Sequence, residues 1–169
     1  MFWIFLIAVV GVGVILGVKQ AQRNKELYES GKMTKRNYKI TDEAEEFTLV
    51  GADFSNVSRA IDSYNFADYR ISVSPNKGNQ SFTFVCKTWQ AGLRQKNDAD
   101  GKNIWYFSFM NWKEDRYGLP EDVTEMNILV TGIEKIFLSI DPNTEVKNTP
   151  IQTRSCLKNK YCTKRKITI

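Results

Sequence analysis

Histidine is absent from the 169-residue sequence, and cysteine occurs only three times. Without an imidazole the chain has no His-based catalytic triad, no zinc site with His ligands and no histidine proton relay. Three cysteines are too few for a disulfide scaffold. Four prolines, ten glycines and an apolar content of 42% exclude collagen-like and fully disordered chains. Length and composition therefore predict one ordinary folded domain with short additional segments.

Motifs for catalysis or cofactor binding are also scarce. Gly11 and Gly13 lie within an apolar run, so they do not form a phosphate-binding loop. Residues 97–101 alternate oxygen ligands but lack the length and the terminal glutamate of a calcium loop, and a hairpin turn explains them better. No pair of carboxylates stands out as an acid–base site. We therefore expect no cofactor, no metal ion and no enzymatic activity.

Charge is distributed unevenly along the chain. Residues 19–39 carry seven basic and two acidic side chains, residues 40–154 carry twelve basic and seventeen acidic ones, and residues 155–169 carry five basic ones and no acidic one. The formal net charge of +5 thus comes from two basic flanks around an acidic body. Nucleic-acid-binding domains carry their positive charge on the folded unit itself, so nucleic acid is not an expected partner.

Residues 2–18 form an apolar run of seventeen residues without a charged or strongly polar side chain. As a helix this run is about 26 Å long, near the lower limit for crossing a bilayer. Trp3 suits an interfacial position, and Lys19 ends the run. A cleaved signal peptide is the alternative, but basic residues are missing before the run and residues 18–21 are a poor cleavage site. The sequence predicts a retained single-pass transmembrane anchor at residues 1–18.

Lysine and arginine follow the apolar run and are absent before it. The positive-inside rule then predicts a protein of the cell membrane with an external N terminus and a cytoplasmic main domain. These cations, and those of the basic tail at residues 155–169, would lie against anionic headgroups of the inner leaflet. A frayed, solvated tail is the alternative. The residues that we assign to the membrane surface are Lys19, Arg23, Lys25, Lys164, Arg165 and Lys166.

Residues 19–41 predict a basic hairpin of two short helices next to the membrane. Leu27 belongs to the first helix, Gly31 can adopt the left-handed conformation that ends it, and Thr34 can cap a second helix with Tyr38. The order of leucine, glycine, Met-Thr and tyrosine within residues 24–39 resembles the core of the SHOCT-type short helical module. In that family the module is a small accessory thought to mediate oligomerisation, so the resemblance implies self-association. A solvated spacer helix is the alternative.

Residues 42–154 alternate between strand-like and helix-like patterns. Residues 47–50 predict a strand, and Asp53 is the expected N-cap of a helix whose apolar residues recur every three or four positions. Residues 69–73, 81–93 and 104–113 predict a three-strand meander.

A second amphipathic helix follows, and it is the clearest one in the sequence. It is expected to begin at Leu119-Pro120 and to end at Asp141, before a final extended piece near residues 145–153. The order strand, helix, three-strand meander, helix, strand predicts an α+β domain. We expect one antiparallel sheet with both helices on the same face.

Both faces of the predicted meander carry apolar side chains. Within residues 104–113, Trp105 and Phe107 point to one side, while Tyr106 and Trp112 point to the other. A sheet with one solvated face alternates apolar with polar residues, so something must cover the second face. The chain's own tail, another subunit and a ligand are the three alternatives. The candidate binding residues are Trp89, Trp105, Tyr106, Phe107, Phe109 and Trp112.

Taken together, these patterns predict a membrane-anchored, non-enzymatic binding protein that uses an aromatic sheet face to contact a protein partner or a second copy of itself. The alternative is a membrane-tethered sensor or carrier that encloses an apolar ligand, such as a lipid, between that face and the long helix. Cys156 and Cys162 lie in the basic tail, where a disulfide is feasible only outside the cytoplasm.

Overall fold

The computed structural model describes residues 2–96, 102–160 and 162–168, with side chains in the N-terminal helix described at position 15 and from position 17 onward. The hairpin turn predicted at residues 97–101 lies outside the described residues. The chain divides into two compact units, Met1–Lys35 and Arg36–Ile169. The described part is mostly antiparallel sheet, with three α-helices, and it has α+β character.

Strands outnumber helices in the order of elements along the chain. A 3₁₀ turn, Phe66–Tyr69, lies between the second helix and the second strand. The elements are α1 (Phe2–Glu29), β1 (Glu43–Leu49), α2 (Phe54–Ser63), β2 (Ser72–Asn76), β3 (Ser81–Val85), β4 (Trp89–Lys96), β5 (Asn103–Glu114), α3 (Val123–Ile140), β6 (Glu145–Pro150), β7 (Thr153–Lys158) and β8 (Thr163–Ile167).

The structure of helix α1 contradicts the predicted membrane anchor. Among the residues that the structure describes, no helix is both long enough and apolar enough to span a membrane. The transmembrane anchor predicted at residues 1–18, and the single-pass membrane class that depended on it, are therefore wrong. The apolar run is about 26 Å long, which is less than a bilayer core of about 30 Å. It is also not an element of its own, because α1 continues through Lys19, Arg23 and Lys25 to Glu29.

The segment after α1 differs from the predicted helical hairpin. The first helix ends where it was expected to end, since Gly31 has a φ of +67° and its N–H bonds to the carbonyl of Tyr28 at 3.0 Å. Residues 32–39, however, are irregular, and the helix predicted after Thr34 does not form there. Arg36 and Tyr38 instead belong to the second unit, where their side chains bind groups of β1 and α3.

One antiparallel sheet of eight strands forms the frame of the second unit, in the order β2-β3-β4-β5-β1-β6. The long strand β5 pairs with β4 along one edge. Along its other edge it pairs with β1 through residues 103–107 and with β8 through residues 111–114. Strand β7 pairs with β8, so the basic tail forms a hairpin at this edge of the sheet.

The predicted three-strand meander is a four-strand one. The long strand expected at residues 81–93 is two strands, because the polar pair Lys87-Thr88 forms a turn closed by a 3.0 Å hydrogen bond from the Cys86 N–H to the Trp89 carbonyl. The strand expected at residues 69–73 begins only at Ser72, since a 3₁₀ turn precedes it. The order predicted within the domain is therefore wrong, and the observed order is strand, helix, four-strand meander, helix and three strands.

Both helices of the second unit cover the same face of the sheet. Helix α2 begins at the predicted cap, because the Asp53 carboxylate accepts a 2.7 Å hydrogen bond from the Asn56 N–H. Phe54 of α2 stacks on Phe82 of β3 with ring centroids 4.8 Å apart. Phe137 of α3 lies 4.6 Å from Phe47 of β1, centroid to centroid. The aromatic core therefore fills the space between these helices and the sheet.

Candidate functional site

Most of the aromatic residues proposed for binding lie in the core. The exposed fraction of each of these side chains is 2% or less. They share the face that packs against α2 and α3, where Trp105 contacts the ring of Phe137 at 5.9 Å between centroids. The buried members of the set are Trp89, Trp105, Phe107, Phe109 and Trp112.

A bulge in β5 explains why Trp112 and Phe109 share a face. Ala91 pairs with Phe109, whereas Gln90 pairs with Asn111, so Met110 is an extra residue in β5. One extra residue reverses the alternation of side chains along a strand. The side chains beyond the bulge change sides, and Trp112 returns to the core.

Only Tyr106 of the proposed aromatic set lies on the sheet face opposite the helices. We call this side the helix-free face. The Arg94 guanidinium and the Lys96 ammonium lie 5.3 and 5.0 Å from the centroid of the Tyr106 ring. Lys96 also forms a 2.7 Å ion pair with Glu46. This face is therefore polar and basic around one aromatic ring, not a broad aromatic surface.

A basic groove lies at one end of the helix-free face, with a volume of about 660 Å³. The turn between β3 and β4, the end of β5 and the hairpin β7–β8 form its walls. None of the described residues that line it is acidic. Two of the groove cations form ion pairs, Lys113 with Glu121 at 3.6 Å and Arg165 with Glu114 at 3.5 Å. The two glutamates do not line the groove. The cations of the basic groove are Lys87, Lys113, Lys164, Arg165 and Lys166.

The residues assigned to a membrane surface fall into two separate sets. Lys164, Arg165 and Lys166 follow one another in β8 and line the basic groove. The set from Lys19 to Lys25 belongs to the N-terminal unit and is exposed along α1, where Lys25 lies 3.7 Å from Glu29. The structure thus brings the tail cations together with Lys87 and Lys113, which no sequence pattern connects with the tail.

A smaller pocket of about 460 Å³ adjoins Tyr106 on the same face. Met110 and Ile167 supply apolar surface there, and Arg94 lies at its rim. Ile167 is half-buried against the core, so the tail covers part of the helix-free face.

A partly buried polar network joins residues 36–42 to β1 and α3. The Arg36 guanidinium donates to Asn127 Oδ1 at 2.5 Å and to Thr131 Oγ1 at 3.1 Å, and it forms a 2.5 Å ion pair with Glu134. The Tyr38 hydroxyl donates to Glu45 Oε1 at 2.6 Å. The Arg36 side chain is 6% exposed and that of Glu134 is 25% exposed, so these contacts are partly shielded from solvent.

Glu45 is the unusual member of this network. It is 3% exposed, and its Oε2 atom has no hydrogen-bond partner. Burial disfavours the charged form and raises the pKa of Glu45 from 4.5 to about 7, against the opposing effect of the Tyr38 hydroxyl. Burial and the hydrogen bond to Glu45 raise the pKa of Tyr38 to about 12.

Local sequence patterns do not predict this network, although β1 carries a signal for it. Phe47 and Leu49 face the core, and a residue two positions before Phe47 points to the same side of the strand. Glu45 therefore occupies an inward position, and a buried carboxylate needs a partner. Its hydrogen-bond partner, Tyr38, comes from residues 36–42, which local sequence patterns do not bring next to β1.

Other chemistry receives little support. The described residues contain no group of His, Cys, Asp and Glu side chains that is able to hold a metal ion. The cysteines are free thiols, and Cys86 and Cys156 both line the basic groove. Burial raises the pKa of the Cys86 thiol, which disfavours the nucleophilic thiolate.

Comparison with known proteins does not assign a family, since no protein-family model matches the sequence and no curated protein does so either.

Proposed function

We propose that this chain is a non-enzymatic binding protein whose helix-free face holds an acidic, extended segment of a protein partner in the basic groove. The single observation that carries the proposal is the concentration of cations in that groove. Five basic side chains line it without an acidic residue among the described lining residues. A peptide with several carboxylates complements such a surface.

The exposed cations of the groove favour an external ligand over internal ion pairs. Lys87 and Lys164 are exposed, and within the described part of the chain neither they nor Lys166 form an ion pair. Lysine ammonium groups on flexible stems adapt to carboxylates at varied spacing. Trp89 and Trp112 beneath the groove are fixed in the core, so the floor is rigid.

Shape and charge favour a peptide over the other polyanions. The groove is a concave space of about 660 Å³ between a turn and a hairpin, whereas a bilayer presents a broad surface. Residues 40–154, which supply most of the unit, carry seventeen acidic and twelve basic side chains. A long nucleic acid would extend beyond the groove and meet this negative body, whereas a short acidic segment would not.

The alternative function, a carrier that encloses an apolar ligand, has less support from the structure. That alternative requires an open space between the aromatic residues and the long helix. Trp105 and Phe137 fill this space. The pocket beside Tyr106 lies on the opposite side of the sheet, and Arg94 lines it.

The test is a binding titration of the full chain with a fluorescent twelve-residue Glu-rich peptide. We compare Lys87→Gln/Lys164→Gln/Lys166→Gln with the wild type. Each exposed charge contributes roughly 0.2–1 kcal/mol, so the triple variant should bind about tenfold more weakly. A Gln-rich peptide of equal length measures contacts that do not depend on charge.

The matched control is Arg59→Gln/Lys135→Gln, which removes exposed cations from α2 and α3. This variant should change the affinity less than twofold. Equal weakening by both variants, or no binding of the Glu-rich peptide, contradicts the proposal. So does binding of phosphatidylserine vesicles or of an oligodeoxythymidine in place of the peptide, since each identifies a different partner class.

A further inference from the structure

The segment formed by residues 36–42, which we call the strap, is held against the domain by partly buried polar contacts. At its start, Arg36 reaches three side chains of α3. In its middle, the Tyr38 hydroxyl donates to Glu45 of β1. At its end, the Asp42 carbonyl accepts a 2.9 Å hydrogen bond from the Ile151 N–H. Opening the strap would bring water to each of these groups.

We propose that Glu45 is a proton-binding site that controls the strap: the strap stays closed while Glu45 is protonated and opens more often once Glu45 is ionised. The geometry supports this inference because the carboxyl group lies under the strap with one oxygen bonded to Tyr38 and the other, Oε2, without a partner. An ionised carboxylate with an unbonded oxygen is costly in such a site. Opening the strap allows water to solvate it.

The charged groups around Glu45 give no full compensation for its ionisation. Arg36 is the cation that favours the charged form, but it is already paired with Glu134. Glu134 of α3 and Glu43 of β1 both disfavour a second negative charge. On the flanking strands, the residues opposite Glu45 are Phe107 and Asn148, which carry no charge.

The tyrosine remains a donor throughout the relevant pH range. The pKa of Tyr38 is raised to about 12, so its hydroxyl keeps its proton between pH 5 and pH 8. The proton that changes the state of the network is therefore the one on Glu45, whose pKa of about 7 in the closed form lies near neutrality.

Hydrogen exchange of the full chain, followed by NMR at several pH values, tests this inference. The amide of Ile151 reports on strap opening, because it is hydrogen-bonded to the Asp42 carbonyl in the closed form. With a pKa of about 7 in the closed strap and 4.5 in the open one, its protection factor should fall roughly 70-fold from pH 5 to pH 8. Amides at the centre of β4 and β5 should keep theirs.

Two variants separate a proton switch from a merely structural role. Glu45→Gln should abolish the pH dependence of protection, whereas the control Glu145→Gln on exposed β6 should leave it intact. Tyr38→Phe removes the hydrogen bond that lowers the pKa of Glu45, so it should move the midpoint to higher pH. A structural role predicts equal loss of protection at every pH.

A third measurement needs no variant. The side-chain carboxyl carbon of Glu45 in the wild type should titrate near pH 7. Titration near pH 4.5, or protection at Ile151 that is constant within threefold from pH 5 to pH 8, overturns the proposal.

Discussion

Buried ionisable residues link local geometry to the stability of the whole fold, and Glu45 is the clearest case in this chain. Its pKa is about 7 when folded, against an ordinary value of 4.5. Between these values the folded chain binds more protons than the unfolded chain, so the free energy of unfolding falls as the pH rises from about 4.5 to about 7. The full difference is on the order of 3 kcal/mol.

The corresponding prediction concerns Glu45→Gln. This variant keeps the shape of the side chain and removes its titration, so it should be more stable than the wild type at pH 8 and lose that advantage at pH 4.5. Urea denaturation at both pH values measures the difference. The control Glu145→Gln removes an exposed carboxylate and should follow the wild type. A constant offset between Glu45→Gln and the wild type at all pH values would contradict the assigned pKa.

At the scale of elements, strand β5 carries core residues on one face and surface residues on the other, and its bulge places Trp112 on the core face. Trp112→Ala removes a side chain that is 2% exposed and should destabilise the domain by about 3–5 kcal/mol. Tyr106→Ala on the same strand truncates a residue of the helix-free face and should cost clearly less. Chemical denaturation of both variants makes the comparison, and similar losses would show that the faces are assigned incorrectly.

Local sequence patterns predict the helices of the domain but not the bulge in β5. The helices α2 and α3 could be predicted because their apolar residues recur every three or four positions, and the cap Asp53 marks the start of α2. Simple alternation along the strand predicts that Trp112 lies on the side opposite Trp105, because alternation assumes a strand without a bulge. The register shift at Met110 depends on pairing with β4, which no local pattern contains.

The strands of the tail and the basic groove also depend on pairing between distant residues, so local patterns do not predict them. Strand β7 is largely exposed and β8 is mostly half-buried, and both are largely polar, so they lack the apolar alternation that predicts strands. The sequence identified Lys164, Arg165 and Lys166 as a cluster because they are consecutive. Lys87 and Lys113 join them only through the sheet, since they come from a turn and from the end of β5.

Across the second unit, three cations of the basic groove lie together on the helix-free face, because Lys113, Lys164 and Lys166 occupy neighbouring positions of β5 and β8. On the other side of the sheet, the exposed cations Arg59 of α2 and Lys135 of α3 are accompanied by acidic side chains. A local concentration of cations steers an oppositely charged partner toward one face during encounter, and salt screens this effect.

Binding kinetics should therefore depend on salt in a defined way. Between about 50 and 500 mM NaCl, the association rate of the Glu-rich peptide should fall about tenfold or more, with a smaller change in the dissociation rate. Lys164→Gln/Lys166→Gln should flatten this dependence, because it removes two of the steering charges. Arg59→Gln/Lys135→Gln should leave the slope nearly unchanged, because these two cations lie on the helices that cover the opposite face of the sheet. Stopped-flow fluorescence gives both rates, and equal slopes for the two variants would mean that the groove does not steer the peptide.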